Sequence, residues 1–116
     1  MQTRGVRGAT TVNKNSKAEI ISATKELLSE IIKANALNID DIASIIFTTT
    51  KDLNAEFPAV AARELGWNDT PLLCAKEIEV PGSLAKCIRV LLQVNSTKKP
   101  SEIKHIYLNQ AVNLRR

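Results

Sequence analysis

The sequence predicts a small α+β domain, a mixed β-sheet with helices on one face. Three observations carry this. Strand-like and helix-like segments follow the order β-α-β-α-β-β-β, with short elements and one long helix. The fourth strand segment, residues 86–95, alternates: Ile88, Val90, Leu92 and Val94 share one face, and Cys87, Arg89, Leu91 and Gln93 the other. The long helix carries its apolar residues on a single stripe.

The first strand spans residues 3–12. Gly5 and Gly8 within it suggest a bulge or the close approach of another group. Arg7 between them is either a solvated edge residue or an arginine aimed at an anion, with the glycines making room. Ser16 then starts the long helix, and Glu19 three residues on makes a capping box. Ile20, Thr24, Leu27, Leu28 and Ile31 form the stripe, the charges read as a solvated face, and the helix should stop near Asn35. A short helical turn is expected over residues 38–42 and a strand over 43–50. The run Ile45-Ile46-Phe47 predicts a strand covered on both faces. Pro58 suits the first position of the next helix and Gly66 the position after its end. Trp67 would cover that end, and Arg63 would be exposed or paired with Glu64 or Glu56. Residues 71–75 form the third strand and residues 104–108 the last, with His105 and Tyr107 on one side. His105 reads as structural.

At 116 residues the chain is sized for one domain, taken here as residues 1–116. Its core needs no disulfide or metal. Phe47, Phe57, Trp67 and Tyr107 are its aromatics, so Ile, Leu, Val and Ala must fill the interior. The net charge of +4 suits nucleic acid or small anions. Dense basic pairs occur only at Lys98-Lys99 and Arg115-Arg116, which speaks against a nucleic-acid surface. Cys74 and Cys87 make no CxxC pair, and one histidine gives no zinc set. No signal peptide or membrane-spanning run is evident, so a cytoplasmic protein is expected.

The chemistry is expected to centre on residues 72–90. Cys74 and Glu77 sit where the third strand runs out into a loop, a Pro81-Gly82 break follows, and Arg89 lies inside the next strand. Strand ends that open into loops commonly carry chemistry, and an arginine in an apolar strand needs a partner. Arg7, Arg63, Arg89, Arg115, Glu77, Tyr107 and Cys74 together suit a compact dianion that carries a hydroxyl. Glycine-rich phosphate loops, catalytic triads and metal sets are missing from the sequence. Cys74 reads as a wall residue, since a nucleophilic thiol would want a base nearby. Conformational restraint and charge stabilisation remain as the source of rate.

Several segments, taken in order, resemble the monofunctional chorismate mutases of the Bacillus type. They are Arg4-Gly5-Val6-Arg7-Gly8-Ala9-Thr10-Thr11-Val12, Phe57-Pro58-Ala59 with Arg63-Glu64-Leu65, Cys74-Ala75-Lys76-Glu77, Lys86-Cys87-Ile88-Arg89-Val90, His105-Ile106-Tyr107-Leu108 and Ala111-Val112-Asn113-Leu114-Arg115. Each piece is weak alone; the ordered set is specific and covers nearly the whole chain. The resemblance implies rearrangement of chorismate to prephenate in phenylalanine and tyrosine synthesis, without a cofactor. It also implies a homotrimeric pseudo-α/β barrel with sites between subunits. By match, Arg89 would donate to the ether oxygen and Glu77 would accept from the substrate hydroxyl. Cys74 would touch the same hydroxyl region, and Arg7 and Tyr107 would hold carboxylate oxygens. Leu73, Ala75 and Lys76 would contribute backbone and shape, and Phe57, Arg63 and Arg115 would line the mouth.

Two departures stand out. Val60 takes a place where many members have a lysine, so one charge contact is expected either to be weaker or to be made by Lys51 or Lys76. The sequence also ends at Arg116, where members often carry a further tail. Two other readings compete with the mutase: a trimeric metabolite- or RNA-binding protein on the same scaffold, and a hydrolase or deaminase using Cys74.

Overall fold

The structure, a computed structural model, describes residues 1–114. Its strands are β1 (Gln2–Thr11), β2 (Ile42–Thr49), β3 (Leu72–Lys76), β4 (Cys87–Ser96) and β5 (Ile106–Tyr107), and its helices α1 (Lys17–Asn35) and α2 (Ala59–Glu64). The five strands form one sheet in the order β3-β2-β4-β1-β5. β4 runs antiparallel to both its neighbours, β1 and β2, whereas β2–β3 and β1–β5 are parallel. The expected mixed sheet is therefore present.

Alternation decides which residues face the helices. Val6, Ile45, Phe47, Val90, Leu92 and Val94 join Leu27, Leu28 and Ile31 of α1 and Ala62 of α2 in one buried cluster. Both helices thus cover the same face. The opposite face carries Arg7, Ile46, Thr48, Arg89 and Leu91. Ile46 corrects the expectation of a strand covered on both sides. Ile45 and Phe47 are 1% and 0% exposed, but Ile46 between them is only half-buried, because α1 and α2 both lie over the opposite face.

The helix ends follow the sequence with one exchange of partners. The Ser16 hydroxyl accepts from the Glu19 amide at 3.2 Å. Glu19 Oε1, however, accepts from the Asn13 and Lys14 amides, at 3.1 and 3.3 Å, and so pins the preceding turn. α1 ends at Asn35, and Ala36 takes the left-handed conformation at φ +50°. α2 follows Pro58, and Gly66 after its end has φ +90°. Trp67 is buried there, its amide donating to the Ala62 carbonyl at 3.1 Å. Two helix charges are more than a solvated face: Lys25 pairs with Glu64 of α2 at 2.7 Å, and Lys17 with Glu56 at 3.5 Å.

Two further expectations are corrected. Gly8 makes room for α1, not for an anion: a Cβ there would stand 2.8 Å from Ile31 Cδ1. The last strand is limited to Ile106–Tyr107. Side chains take over the pairing on its N-terminal side, where Lys104 exchanges hydrogen bonds with the buried Asn35 amide and His105 Nδ1 accepts from the Arg7 amide at 3.0 Å. Arg63 is exposed, the first of its two expected readings; it pairs with neither Glu64 nor Glu56, and its Nη1 donates to the Trp67 carbonyl at 2.5 Å. Among the described residues, no helix is long and apolar enough to cross a membrane.

Candidate active site

The sheet register builds the site in rows. Side chains at paired positions point to the same face. Ala75, Thr48, Arg89, Ala9 and Tyr107 form one row across all five strands of the open face. Leu73, Ile46, Leu91 and Arg7 form the neighbouring row. Ala9 beside Arg89 is buried against Ala111, so the last turn of the chain borders the open face there. The result is a cleft of about 320 Å³ lined by Arg7, Glu77, Arg89 and Tyr107, together with Ile46, Thr48, Leu91 and Leu114. Four of the residues expected from the sequence meet in it.

Glu77 lies just past the end of β3. Its amide donates to the Thr49 carbonyl at 2.9 Å, which continues the β2–β3 pairing by one step. Its Oε2 accepts from the Thr48 hydroxyl. Arg89 Nε stands 3.9 Å from the same oxygen. That is ion-pair distance but too long for a hydrogen bond, and the Arg89 side chain is 47% exposed. The guanidinium is thus oriented towards the carboxylate without being closed onto it. Two guanidinium groups against one carboxylate leave the cleft positive, as an anion site needs. Apolar Ile46, Leu91 and Leu114 give it walls that shed water, which strengthens electrostatic contacts inside.

The remaining expected residues lie elsewhere in the chain. Cys74 pairs with Phe47, so it belongs to the helix-covered face, where it packs half-buried on the core beside α2. Burial pushes its thiol above the ordinary value, although the Ala59 backbone opposes this. A neutral thiol facing away from Arg89 suits a wall residue. Phe57 is 68% and Leu73 62% exposed. Arg63 is engaged at the end of α2, and Ala75 and Lys76 are exposed at the end of β3. Lys51 pairs with Glu79 at 3.7 Å, over a separate hollow that shares Glu77 with the cleft. Arg115 lies outside the described residues.

Thr48 was missed by the sequence reading. It sits in the run Thr48-Thr49-Thr50, which reads only as the end of a strand. Its alternate spacing from Ile46 places it on the open face, but its pairing with Glu77 depends on β3 lying beside β2. His105 meets its structural expectation through the Arg7 amide. Among the described residues, no group of three or more His, Cys, Asp or Glu could hold a metal ion.

Comparison with known proteins identifies the family of the chain. The family described as chorismate mutase type I matches residues 3–116. The chain is 44% identical over 116 residues to chorismate mutase AroH of Bacillus subtilis, covering 99% of this chain and 91% of that protein. It is 45% identical over 113 residues to chorismate mutase AroH of Thermus thermophilus, covering 97% and 93%. A solved chorismate mutase from Clostridium thermocellum superposes with a TM-score of 0.92 at 56% identity, covering 93% of this chain and 96% of that one.

Proposed function

The chain belongs to the chorismate mutase type I family, and from that premise we infer that it converts chorismate to prephenate in the cleft of Arg7, Glu77, Arg89 and Tyr107. The reaction is an intramolecular Claisen rearrangement in phenylalanine and tyrosine biosynthesis. The observation that carries the reading is the facing of two arginines and one glutamate across a cleft on the open side of the sheet.

The chemistry follows from charge. As the ether C–O bond breaks, negative charge gathers on its oxygen. The Arg89 guanidinium donates to that oxygen and stabilises the transition state more than the ground state. One donor placed this way typically lowers the barrier by about 3–4 kcal/mol. Glu77 accepts from the substrate hydroxyl and lies near the part that becomes electron-poor. Arg7 and Tyr107 hold carboxylate oxygens in the compact geometry that the rearrangement needs, and restraint of a flexible substrate lowers the barrier further. The protein's part needs no covalent step.

One chain provides only part of this site. Phe57, Arg63, Leu73, Cys74, Ala75 and Lys76 gather around α2 and β3, and Cys74 lies on the other face of the sheet from Arg89. Exposed Phe57, Leu73 and Leu91 also leave apolar surface uncovered. We therefore assign the working form to a homotrimer in which the Phe57 region of one subunit closes the Arg89 cleft of the next. Arg115 completes the mouth. Two free cysteines suit a reducing cytoplasm, and residues 1–116 act as one catalytic domain.

The test is the disappearance of chorismate absorbance on adding purified protein in the presence of EDTA and without nucleotide, with the assembly measured by light scattering. Saturable turnover by a trimer is expected. A folded trimer that leaves chorismate untouched refutes the assignment.

A further inference from the structure

Thr48, Thr50 and Asp52 stand at alternate positions of the segment that leaves β2, and each directs its side chain at the supports of the cleft. The Thr48 hydroxyl donates to Glu77 Oε2, and the Thr49 carbonyl between them accepts from the Glu77 amide. The Thr50 hydroxyl accepts from the Cys87 amide at 3.0 Å and donates to Asp52 Oδ1 at 2.5 Å. Both carboxylate oxygens of Asp52 accept from the Lys86 amide, at 3.2 and 2.9 Å. Lys86 is left-handed at φ +49°, a conformation that persists in a lysine only when its surroundings hold it. Arg89 follows three residues later on the strand that this clasp starts. The two groups that face each other across the cleft are thus tied to the two ends of one five-residue segment.

We propose that the Thr48–Thr50–Asp52 series is a positioning device that sets the distance and orientation between Glu77 and Arg89, with Asp52 acting through the Lys86 amide on the strand that carries Arg89. The charge on Asp52 fits this role. Burial pushes its carboxyl upward, yet the Thr50 hydroxyl and the Lys86 amide outweigh it and hold the group below its ordinary value. These hydrogen bonds favour the ionised form, so the clasp is made by a carboxylate. None of the three is required to touch the reacting bond.

The inference rests on the chorismate mutase reading, and steady-state kinetics on chorismate separate the two. Asp52→Asn keeps the shape and removes the charge; Thr48→Val keeps the shape and removes the hydroxyl. Each is expected to lower kcat roughly tenfold, with KM changed less than about threefold, because a misplaced donor loses transition-state contact first. Circular dichroism and the thermal midpoint should show a folded chain. In the double variant the losses should combine to less than their product, since either change alone already spoils the same pair. If Asp52→Asn does not fold, Thr48→Val carries the test. Values of kcat within about twofold of wild type in the folded variants overturn the proposal. So does a rise in KM alone, or a loss of activity that only tracks the unfolded fraction. An inert wild-type chain defeats the functional reading and this inference with it; an active wild type with unaffected variants defeats this inference alone.

Discussion

Two adjacent rows of the sheet, one residue apart in every strand, meet opposite fates. Cys74, Phe47, Val90, Gly8 and Ile106 face the helices. Phe47 is 0% and Val90 4% exposed, and Gly8 lets α1 approach β1 closely. Ala75, Thr48, Arg89, Ala9 and Tyr107 face the other way, and Arg89 remains about half exposed. The first row is finished within one chain, by packing. The second carries Thr48 and Arg89 beside Arg7 and Glu77, and neither α1 nor α2 lies over it. The largest core cluster of this fold therefore lies on one face and the candidate site on the other, with the period-two geometry of a strand keeping them apart.

This division can be broken from either side. Phe47→Ala should cost about 3–5 kcal/mol, because the cavity would open between both helices and the sheet. Chemical denaturation would measure it, and a loss under about 1 kcal/mol would mean that the core collapses around the gap. Gly8→Ala should cost about 1–3 kcal/mol by forcing Ile31 and α1 outward. An unchanged thermal midpoint would show that the close approach is not needed. Cys74→Ala belongs to the covered row and removes a neutral thiol, so turnover should stay within about tenfold of wild type, as for loss of a wall contact; abolished activity would return Cys74 to the chemistry.

The smallest effect concerns acid. Asp52 has its folded pKa depressed, so its contribution to stability is present above the ordinary carboxylate value and is lost as the pH falls through the folded one. The thermal midpoint should decline below about pH 4, and Asp52→Asn should flatten part of that decline. Parallel curves for the two proteins would mean that the Lys86 and Thr50 contacts add nothing to stability.

Much of this was legible in the sequence, and the boundary has a physical origin. The ends of α1 were visible because Ser16 and Glu19 act within two turns of their own positions and the apolar stripe runs out before Asn35. The faces of β4 were visible because alternation is local, which put Arg89 opposite Ile88 and Val90. Most of the failures involve partners far along the chain. Glu19 aside, whose partners shifted within one turn, nothing near Gly8 announces Ile31, and nothing near Thr48 announces Glu77. Arg63 had two plausible carboxylates beside it, but Glu64 and Glu56 are paired with lysines of α1. The apolar run around Cys74 shows no alternation, so the sequence could not say that Leu73 and Cys74 face opposite ways. Cys74 was a candidate because it stands near the end of a strand; the register assigns it to the covered face.

The most direct test of the account is the kcat of Arg89→Lys on chorismate beside its thermal midpoint. Lysine keeps the charge but loses the planar fork that meets the developing oxygen charge. Turnover should fall by about a hundredfold to a thousandfold while the midpoint stays that of wild type, because the Arg89 side chain is half exposed and stands 3.9 Å from Glu77, too far for a hydrogen bond. Near-normal turnover, or a matching collapse of stability, would contradict the central role given to Arg89 and the division between the two faces.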